Sequence, residues 1–347
     1  MGSDLNMRFI IYGAGGIGSG IGGHLWRTGH EAVLIGRPGH VGKIRTDGLR
    51  LVTGTDEYRL DVPAVTHPRE IEFRPGDVVL LTMKSHDTEV ALRELRAAGG
   101  DPWELPIFCV QNGIANEPIT ARYFRRVYGV LIVIPGIYLE DGVVYNPIRG
   151  NAGMIDIGIY PRSVDATAEQ VATALREASY EARTHPEVMG PKARKLLGNL
   201  GNALSAVTDG RGDGGPFMAE ARREGGRCLE AEGHPLESEA SFRERCRARR
   251  GETALPEGVR NLGSSWQSLM RRQGSIEADY LNGEIVLLGR KHGIPTPFNG
   301  VLQRIANEMA AARERPGKYT AEELFAMAER LAAREPLPPS HTTKEPS

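Results

Sequence analysis

Three glycines near the start of the chain have the spacing of a phosphate-binding turn. Gly13, Gly15 and Gly18 follow an apolar run at residues 9–12, and the apolar spacing after them becomes helical. In a G-x-G-x-x-G turn the first glycine permits the tight bend and the second lets the backbone approach a pyrophosphate. The third lets the helix pack closely on the strand. A second apolar run at residues 32–35 completes a βαβ unit, so the pattern predicts dinucleotide binding, with an ordinary glycine-rich turn as the alternative. The residues of the predicted turn are Gly13, Ala14, Gly15, Gly16, Ile17 and Gly18.

The end of the second apolar run indicates which dinucleotide would bind. An NAD site usually has Asp or Glu there to hold the ribose 2′-hydroxyl. This chain has no carboxylate at residues 35–40 and carries Arg37 in the acid's place, with Lys43 and Arg45 further along. A guanidinium can bind a 2′-phosphate through two hydrogen bonds. We therefore predict NADP(H) rather than NAD, and the alternative for Arg37 is a solvated loop residue.

Two polar side chains follow predicted buried strands. Lys84 comes directly after the strand at residues 77–83, and Asn112 comes just after the strand at residues 106–110. Ligands of doubly wound sheets bind beyond the carboxyl ends of the strands. Lys84 is therefore a candidate for cofactor phosphate or substrate carboxylate, and Asn112 for the cofactor ribose or the substrate. The alternatives are a surface lysine and a plain Asn-Gly turn.

A further set of polar side chains lies on one face of a helix predicted to start near Pro191 and to run to Val207. At ~100° per residue, Lys195, Asn199 and Asn202 fall within an arc of ~60°. A solvated face would more often carry several Glu and Lys residues. The stripe therefore predicts the wall of a polar cleft, with a merely exposed stripe as the alternative.

The order of strands and helices predicts the fold. Strands alternate with helices up to residue 186, and almost only helices follow. We predict an α/β protein with an N-terminal Rossmann-type doubly wound sheet and an all-helical C-terminal domain. The expected boundaries are 7–186 for the NADP-binding domain, 187–334 for the helical substrate domain and 335–347 for a disordered tail. A glycine-rich stretch at 208–216 is expected to be a flexible loop that could act as a lid, and a helix is expected to start at Ser275, with Leu287 on its apolar face.

Composition narrows the range of function classes. The net charge of −1 gives no overall basic field for nucleic acid. The three cysteines, Cys109, Cys228 and Cys246, have no spacing of a zinc site or disulfide framework, so no metal is expected. A reducing cytoplasm is the expected compartment, because neither a signal peptide nor a membrane-length apolar stretch is evident.

Taken together, these residues resemble those of the ketopantoate reductase (2-dehydropantoate 2-reductase) family. The lysine and asparagine on one helix, combined with a serine and an acidic segment further on, are specific as a set. The residues that carry the resemblance are the glycine turn, Arg37, Leu81-Thr82-Met83-Lys84, Gln111-Asn112-Gly113, Lys195 with Asn199, and Ser265 with Glu277-Ala278-Asp279-Tyr280-Leu281-Asn282-Gly283.

The resemblance implies NADPH-dependent reduction of a 2-keto acid to a 2-hydroxy acid. The most direct case is 2-dehydropantoate to (R)-pantoate, in pantothenate and coenzyme A biosynthesis. Lys195 matches the family's catalytic lysine and would donate a hydrogen bond and then a proton to the keto oxygen. Glu277 matches the acid that orients the lysine and the substrate hydroxyl. The expected substrate-binding residues are Asn112, Asn199, Asn202 and Ser265, and Lys84 matches a lysine near the cofactor.

Two positions depart from the family pattern on the substrate side. Ala203 stands where a second helix asparagine is frequent, and Leu269 stands where an acid is frequent. A reductase of the same family that acts on a different ketone or imine therefore remains an alternative, as does a non-catalytic NADPH-binding sensor. The expected partner is a small keto acid, with neither nucleic acid nor membrane, and a homodimer is left open.

Overall fold

The computed structural model describes residues 7–249, 251–253 and 262–334. The chain divides into two compact units. The first comprises Met1–Leu196 and Pro235–Asn261, and the second comprises Leu197–His234 and Leu262–Ser347. The predicted tail at 335–347 lies outside the described residues.

All strands of the described residues belong to the first unit. In chain order they are β1 (Arg8–Tyr12), β2 (Glu31–Ile35), β3 (Leu49–Thr53), β4 (Glu57–Leu60), β5 (Ala64–Val65), β6 (Asp77–Leu81), β7 (Ile107–Cys109), β8 (Val127–Val133), β9 (Ile137–Glu140), β10 (Val143–Asn146), β11 (Ile148–Arg149), β12 (Met154–Ile159), β13 (Glu181–Thr184) and β14 (Glu252–Thr253).

Helices occur in both units. In chain order they are α1 (Gly16–Arg27), α2 (Pro38–Asp47), α3 (Thr88–Ala97), α4 (Asn116–Thr120), α5 (Ala166–Glu177), α6 (Met189–Asn199), α7 (Gly201–Thr208), α8 (Gly215–Ala231), α9 (Glu239–Arg249), α10 (Ser264–Met270), α11 (Asn282–His292), α12 (Pro297–Ala311) and α13 (Ala321–Ala332).

The central sheet of the first unit has eight strands in the order β13-β12-β8-β7-β6-β1-β2-β5. Neighbouring strands are parallel except for β8 and β12, which are antiparallel. The chain passes from β1 to β2 on one side and later to β6 on the other, so the strand order reverses between β1 and β6. Such a switch point forms a crevice at the carboxyl ends of the strands. The predicted doubly wound sheet is confirmed.

Both faces of the sheet are covered, which explains why β1 is apolar without alternation. Phe9 and Ile11 join the buried cluster on one face, together with Ile21 and Leu25 of α1. Ile10 joins the cluster on the other face. The apolar spacing that identified α1 therefore places its buried side on the sheet.

All regular secondary structure in the described residues of the second unit is helical. Helix α10 packs against α7, and α12 packs against α7, α8, α11 and α13. Phe298 lies at the centre of an aromatic cluster, in edge contact with Phe217 and Phe325 at centroid distances of 5.1 and 5.2 Å. No helix within the described residues is both long and apolar enough to cross a bilayer.

Two predicted helices are interrupted in the structure. The helix expected to run to Val207 is divided at Leu200 into α6 and α7, and the Leu200 carbonyl accepts a hydrogen bond from Asn282 Nδ2 at 3.2 Å. The helix expected from Ser275 is a 3₁₀ turn at Glu277–Tyr280 followed by α11, because Leu281 leaves helical geometry at φ −114° and ψ −82°. Leu287, expected on the apolar face, is 58% exposed.

The segment that includes α9 groups with the first unit, although it lies within the range expected for the helical domain. The reason is a set of ion pairs. Arg249 is buried, and both Arg245 and Arg249 pair with the buried Asp156 of β12. Arg245 also pairs with Glu237 at 2.6 Å. These arginines therefore attach α9 to the sheet.

The loop expected at 208–216 is held by its neighbours in the second unit. The Asp213 amide donates to Glu322 Oε1 at 2.9 Å, and Trp266 Nε1 donates to Asp209 Oδ1 at 2.9 Å. Arg211 donates to the Gly317 carbonyl. Contacts with α13 and α10 thus fix a segment whose glycine content suggested a flexible lid.

Candidate active site

The glycine-rich turn has the backbone geometry that its three glycines predict. Gly13 has a φ of +110°, and a Cβ there would lie 2.2 Å from the Met83 nitrogen. A Cβ at Gly18 would lie 2.3 Å from the Gly13 oxygen, so this glycine is needed for close packing. A Cβ at Gly15 would meet, among the described residues, only the Gly13 oxygen at 3.9 Å. The space in front of Gly15 is therefore open, as a bound pyrophosphate requires.

The other residues of the turn hold it against neighbouring strands. The Ala14 amide donates to the Ile35 carbonyl at 2.9 Å. The backbones of Gly16 and Gly136 are in contact, since a Cβ at Gly16 would lie 3.0 Å from the Gly136 carbonyl carbon. Ile17 is half-buried on the first turn of α1. That turn carries no acidic residue and no side-chain cap, so its N–H groups and the positive end of the helix dipole suit a phosphate.

Arg37 lies two residues beyond the last residue of β2 and is the N-cap residue of α2. Its side chain is exposed, and it makes no hydrogen bond or ion pair with another described residue. Lys43 and Arg45 differ, because they pair with Asp47 and Glu70 at 3.0 Å each. Of these three cations, Arg37 is the one whose guanidinium is available at the end of β2.

Lys84 lies at the switch point beside the turn. It is half-buried and precedes the 3₁₀ turn at Ser85–Asp87 that follows β6. Its neighbour Met83 makes the contact with Gly13 described above. The structure therefore brings Lys84 next to the glycine turn, as the positions of the two strand ends predicted.

A buried polar network fixes the segment that follows β7. Asn116 Nδ2 donates to Ser85 Oγ at 3.0 Å, and its Oδ1 accepts from Thr88 Oγ1 at 2.8 Å. Gln111 Nε2 donates to Thr88 Oγ1 at 3.1 Å. Asn116 Nδ2 also lies 3.4 Å from the Asn112 carbonyl. The backbone around Asn112 is thus attached to the segment that carries Lys84, and Asn112 itself stays half-buried.

Lys195 reaches this segment from α6. Its Nζ donates to Asn112 Oδ1 at 2.7 Å and also to the Ile132 carbonyl. Ile132 lies near the carboxyl end of β8, and Asn112 lies beyond the carboxyl end of β7. The ammonium of Lys195 is therefore held at the edge of the sheet that carries the glycine turn.

Sequence reasoning missed a second lysine on α6. Lys192 is buried, and its Nζ forms an ion pair with Glu117 Oε1 at 2.7 Å. Burial raises the pKa of the Glu117 carboxyl, and the Lys192 ammonium opposes that rise. Lys192 lies three residues before Lys195, and this spacing puts both lysines on one side of the helix. The sequence therefore contained one indication that Lys192 lies near the same strand ends.

Three of the candidate residues belong to the second unit. Asn199 ends α6, and Asn202 lies in the first turn of α7, which packs against α10. The Asn202 amide oxygen is 3.4 Å from where a Cβ of Gly263 would be. Gly263 immediately precedes α10, on which Ser265 is 2% exposed. The Ser265 hydroxyl finds no hydrogen-bond partner among the described residues, as expected of a group that binds a ligand.

The acidic segment at residues 277–283, which contributes to the family resemblance, divides into a 3₁₀ turn and the start of α11. Glu277 is 7% exposed and begins the 3₁₀ turn, which packs against α11 and α12. Asn282 is fully buried and donates to Asn299 Oδ1 at 3.0 Å. Asn299 in turn donates to Glu224 Oε2 at 2.7 Å. Asn282 therefore holds helices of the second unit together, and its role in the motif is structural.

The structure thus assembles the predicted residues into two groups. The glycine turn, Arg37, Lys84, Asn112 and Lys195 belong to the first unit, and all lie at or beyond carboxyl ends of its strands. Asn199, Asn202, Ser265 and Glu277 belong to the second unit, and α6 begins in one unit and ends in the other. Within the described residues no group of His, Cys, Asp or Glu could hold a metal ion.

Comparison with known proteins identifies a family for most of the chain. Residues 9–161 match the family model described as ketopantoate reductase PanE/ApbA, and residues 187–310 match the model of its C-terminal part. The chain is similar to the 2-dehydropantoate 2-reductase of Pyrococcus horikoshii, with 28% identity over 304 residues that cover 85% of this chain and 95% of the relative. It is also similar to that of Archaeoglobus fulgidus, with 26% identity over 306 residues that cover 85% of this chain and 95% of the relative.

Solved structures show the same fold. A PanE/ApbA family ketopantoate reductase from Ralstonia eutropha superposes with a TM-score of 0.74 at 28% identity, covering 88% of this chain and 99% of the other. D-mandelate dehydrogenase, solved with NADH and anilino(oxo)acetate, superposes with a TM-score of 0.76 at 23% identity, covering 88% and 99%. The two family models together match most of the chain, which therefore belongs to the ketopantoate reductase PanE/ApbA family of oxidoreductases.

Proposed function

We propose that this protein uses NADPH to reduce a 2-keto acid to a 2-hydroxy acid, and that the substrate is 2-dehydropantoate and the product (R)-pantoate. The observation that carries the proposal is the position of Lys195. Its Nζ is bound by Asn112 Oδ1 at 2.7 Å, beyond the carboxyl ends of the strands. The relatives named 2-dehydropantoate 2-reductase support the choice of substrate.

The chemistry requires a cation at the keto oxygen. A nicotinamide cofactor, when bound, supplies the hydride that adds to the keto carbon. As the carbon–oxygen π bond breaks, negative charge develops on the oxygen, and a positioned ammonium stabilises that charge. Lys195 donates a hydrogen bond to this oxygen and then transfers its proton, which leaves a hydroxyl group on the product and a neutral amine that regains a proton from water. The acceptors Asn112 Oδ1 and Ile132 O are neutral, so these two bonds orient the ammonium without cancelling its charge.

The first unit would hold the cofactor. The open space at Gly15 and the N-terminus of α1 suit the pyrophosphate. The exposed Arg37 suits a 2′-phosphate, which only NADPH carries. Lys84 and Asn112 lie further along the same edge, where they would contact the cofactor or the substrate.

The second unit carries the other residues that the family resemblance gives to substrate binding. Ser265 has a buried hydroxyl that binds no other described residue, so a substrate carboxylate or hydroxyl would satisfy it. Asn199 and Asn202 would add amide hydrogen bonds. Glu277 would orient the substrate hydroxyl, in the role that the family resemblance gives it.

A second candidate is a reductase of the same family with a different keto substrate. The observation that favours it is the apolar character of Ala203 and Leu269, each 1% exposed. These two positions offer no hydrogen-bonding side chain. A substrate with fewer polar groups than 2-dehydropantoate would therefore lose less binding free energy there. A panel of 2-keto acids of graded polarity distinguishes the two candidates.

The test is steady-state kinetics of the purified chain with 2-dehydropantoate, following the loss of NADPH absorbance, with NADH in parallel because one structural neighbour was solved with it. We expect turnover, with kcat/KM about tenfold or more higher for NADPH than for NADH. Faster turnover of another keto acid would select the second candidate. Nucleotide binding without turnover of any keto acid or imine would contradict the reductase and indicate a sensor.

A further inference from the structure

Lys192 makes three hydrogen bonds in addition to its buried ion pair. Besides its ion pair with Glu117, its Nζ donates to three backbone carbonyls, those of Cys109 at 3.2 Å, Gln111 at 3.0 Å and Val130 at 3.1 Å. The side chains of Lys192 and Glu117 are 2% and 0% exposed. An ammonium has only three N–H donors, so this group is saturated by the protein and has no capacity left for a ligand.

The carbonyls that Lys192 binds belong to the two strand ends that also hold Lys195. The last paired residues of β7 and β8 are Cys109 and Gly129. Beyond that pair, Val130 and Ile132 lie two residues apart on β8, so their carbonyls point to the same side of the strand. Lys192 binds the first of these carbonyls and Lys195 the second. The two ammonium groups thus bind the β8 carbonyls to which backbone N–H groups would donate if β7 were longer.

A second pair of contacts repeats this arrangement on the segment after β7. Lys192 binds the carbonyl of Gln111, and Lys195 binds the side-chain oxygen of the next residue, Asn112. Since the lysines are three residues apart on α6, they lie on one side of the helix. Any shift of α6 along the strand ends would break the contacts of Lys192 together with those of Lys195.

We propose that Lys192 is the positioning residue of this site. It fixes α6 against the ends of β7 and β8, so that the Lys195 ammonium stays at Asn112 and Ile132, and Glu117 neutralises its buried charge. The inference rests on the proposed function only for the role of Lys195 in reduction. The position of Lys195 itself can be tested without turnover.

The experiment compares Glu117→Gln with the double variant Lys192→Met/Glu117→Gln. The single variant keeps the bonds from Lys192 to the three carbonyls. The double variant removes those bonds without leaving a buried carboxylate unpaired, which would be strongly destabilising. Three quantities are measured for each protein: kcat per NADPH-binding site, the Kd of NADPH by fluorescence, and the melting temperature. Referring kcat to binding sites removes misfolded molecules from the comparison.

We expect Glu117→Gln to change kcat by less than about threefold, and the double variant to lower kcat by about tenfold or more, because a small displacement of a catalytic group is costly. The Kd of NADPH should change by less than about threefold in both, because neither residue lies in the glycine turn. A double variant with wild-type kcat would overturn the proposal. So would a loss of about tenfold or more in Glu117→Gln with the Kd of NADPH unchanged, because the ion pair and not the carbonyl contacts would then set the rate.

A second readout does not depend on activity. Competitive acetylation by acetic anhydride, followed by peptide mass spectrometry, reports how well Lys195 Nζ is held, with the exposed Lys318 as internal reference. We expect Lys195 to react at least about threefold faster in the double variant than in wild type, because released amines are more nucleophilic and more accessible. Unchanged labelling would overturn the inference. If wild type reduces no keto acid but labelling changes as expected, the proposed function fails and the positioning role stands.

Discussion

Lys195 and Asn112 are 83 residues apart in the chain, and the Lys195 Nζ lies 2.7 Å from the Asn112 Oδ1. Because the amide oxygen accepts this bond, the Asn112 NH₂ group points elsewhere and can donate to a ligand. One side chain therefore orients the proposed proton donor and also presents a hydrogen-bond donor of its own.

Substitutions of Asn112 separate these two roles. In Asn112→Ala, Lys195 loses a neutral acceptor, and we expect kcat to fall about 10- to 100-fold. In Asn112→Asp, an anion replaces that acceptor, stabilises the charged lysine and cannot donate to a ligand, so proton transfer should slow by at least as much. Steady-state kinetics of both variants, with melting temperatures as the control for folding, tests this. Wild-type kcat in Asn112→Ala would show that the bond does not matter for the reaction, and wild-type kcat in Asn112→Asp would show that the charge of the acceptor does not matter.

The glycines of α1 and its turn offer a matched series. In Gly18→Ala the new Cβ would lie 2.3 Å from the Gly13 oxygen and 2.4 Å from Thr82 Oγ1, so we expect a loss of about 1–3 kcal/mol in the free energy of unfolding. In Gly15→Ala the nearest atom is 3.9 Å away, so stability should be unchanged while the Kd of NADPH rises about tenfold or more.

The control for this series is Gly20→Ala in the same helix. Apart from its chain neighbours and the backbone of α1, a Cβ at Gly20 would meet no heavy atom of a described residue within 4 Å, and alanine favours the helix by about 0.5–1 kcal/mol. Urea denaturation and NADPH titration of the three variants check the series. A stable Gly18→Ala protein with wild-type NADPH affinity would contradict the assigned packing role of Gly18.

Arg37 should determine the preference for NADPH. Its exposed guanidinium pairs with no other described group, so in Arg37→Ala we expect the KM for NADPH to rise about 10- to 100-fold with little change for NADH. Arg45→Ala is the comparison, because Arg45 already binds Glu70 and the Ala64 carbonyl. An equal loss in both variants would indicate a general electrostatic effect and not a specific 2′-phosphate contact.

His24 should make the first unit sensitive to acid. Two causes lower the pKa of His24 from 6.5 to about 3, and burial is the larger of them. The positive charge of the nearby Arg27 is the smaller cause. At a pH between these two values, His24 therefore binds a proton in the unfolded chain but not in the folded chain. The contribution of His24 to stability is complete above pH 6.5 and is lost as the pH falls toward 3, by at most about 1.4 kcal/mol per pH unit.

Urea denaturation from neutral pH down to about pH 4.5 measures this dependence. We expect the free energy of unfolding of His24→Gln to fall less steeply with acid than that of wild type, whatever its value at neutral pH. The control is His30→Gln, at a partly exposed histidine of the same unit. Parallel pH profiles for wild type and His24→Gln would contradict the assignment.

The parts of the fold that could be predicted are those specified by local sequence. The turn at Gly13 and the end of α1 at Gly29 both require a positive φ, and such positions are visible as glycines between apolar runs. Helix α2 was not predicted, because Gly39 and Gly42 obscure its apolar periodicity. Its one local signal is Pro38 at the first helical position.

The parts that could not be predicted depend on groups that sequence does not display. Lys192 binds backbone carbonyls, which every residue has, so no residue type at 109, 111 or 130 reveals the contact. The grouping of α9 with the sheet depends on Asp156, one acid in an otherwise apolar strand, and it becomes interpretable only once Arg245 and Arg249 are seen beside it. In the candidate site, residue types indicated Lys195 and Asn112 separately, whereas their hydrogen bond required the tertiary structure.

The most direct test of the account is the rate of keto acid reduction by Lys195→Ala under single-turnover conditions with NADPH, followed by nucleotide fluorescence. Lys318→Ala, at an exposed lysine paired with Glu314, is the control. We predict that Lys195→Ala lowers the rate about 100-fold or more while the Kd of NADPH stays within about threefold of wild type. A Lys195→Ala protein that reduces the keto acid at the rate of wild type would contradict the account.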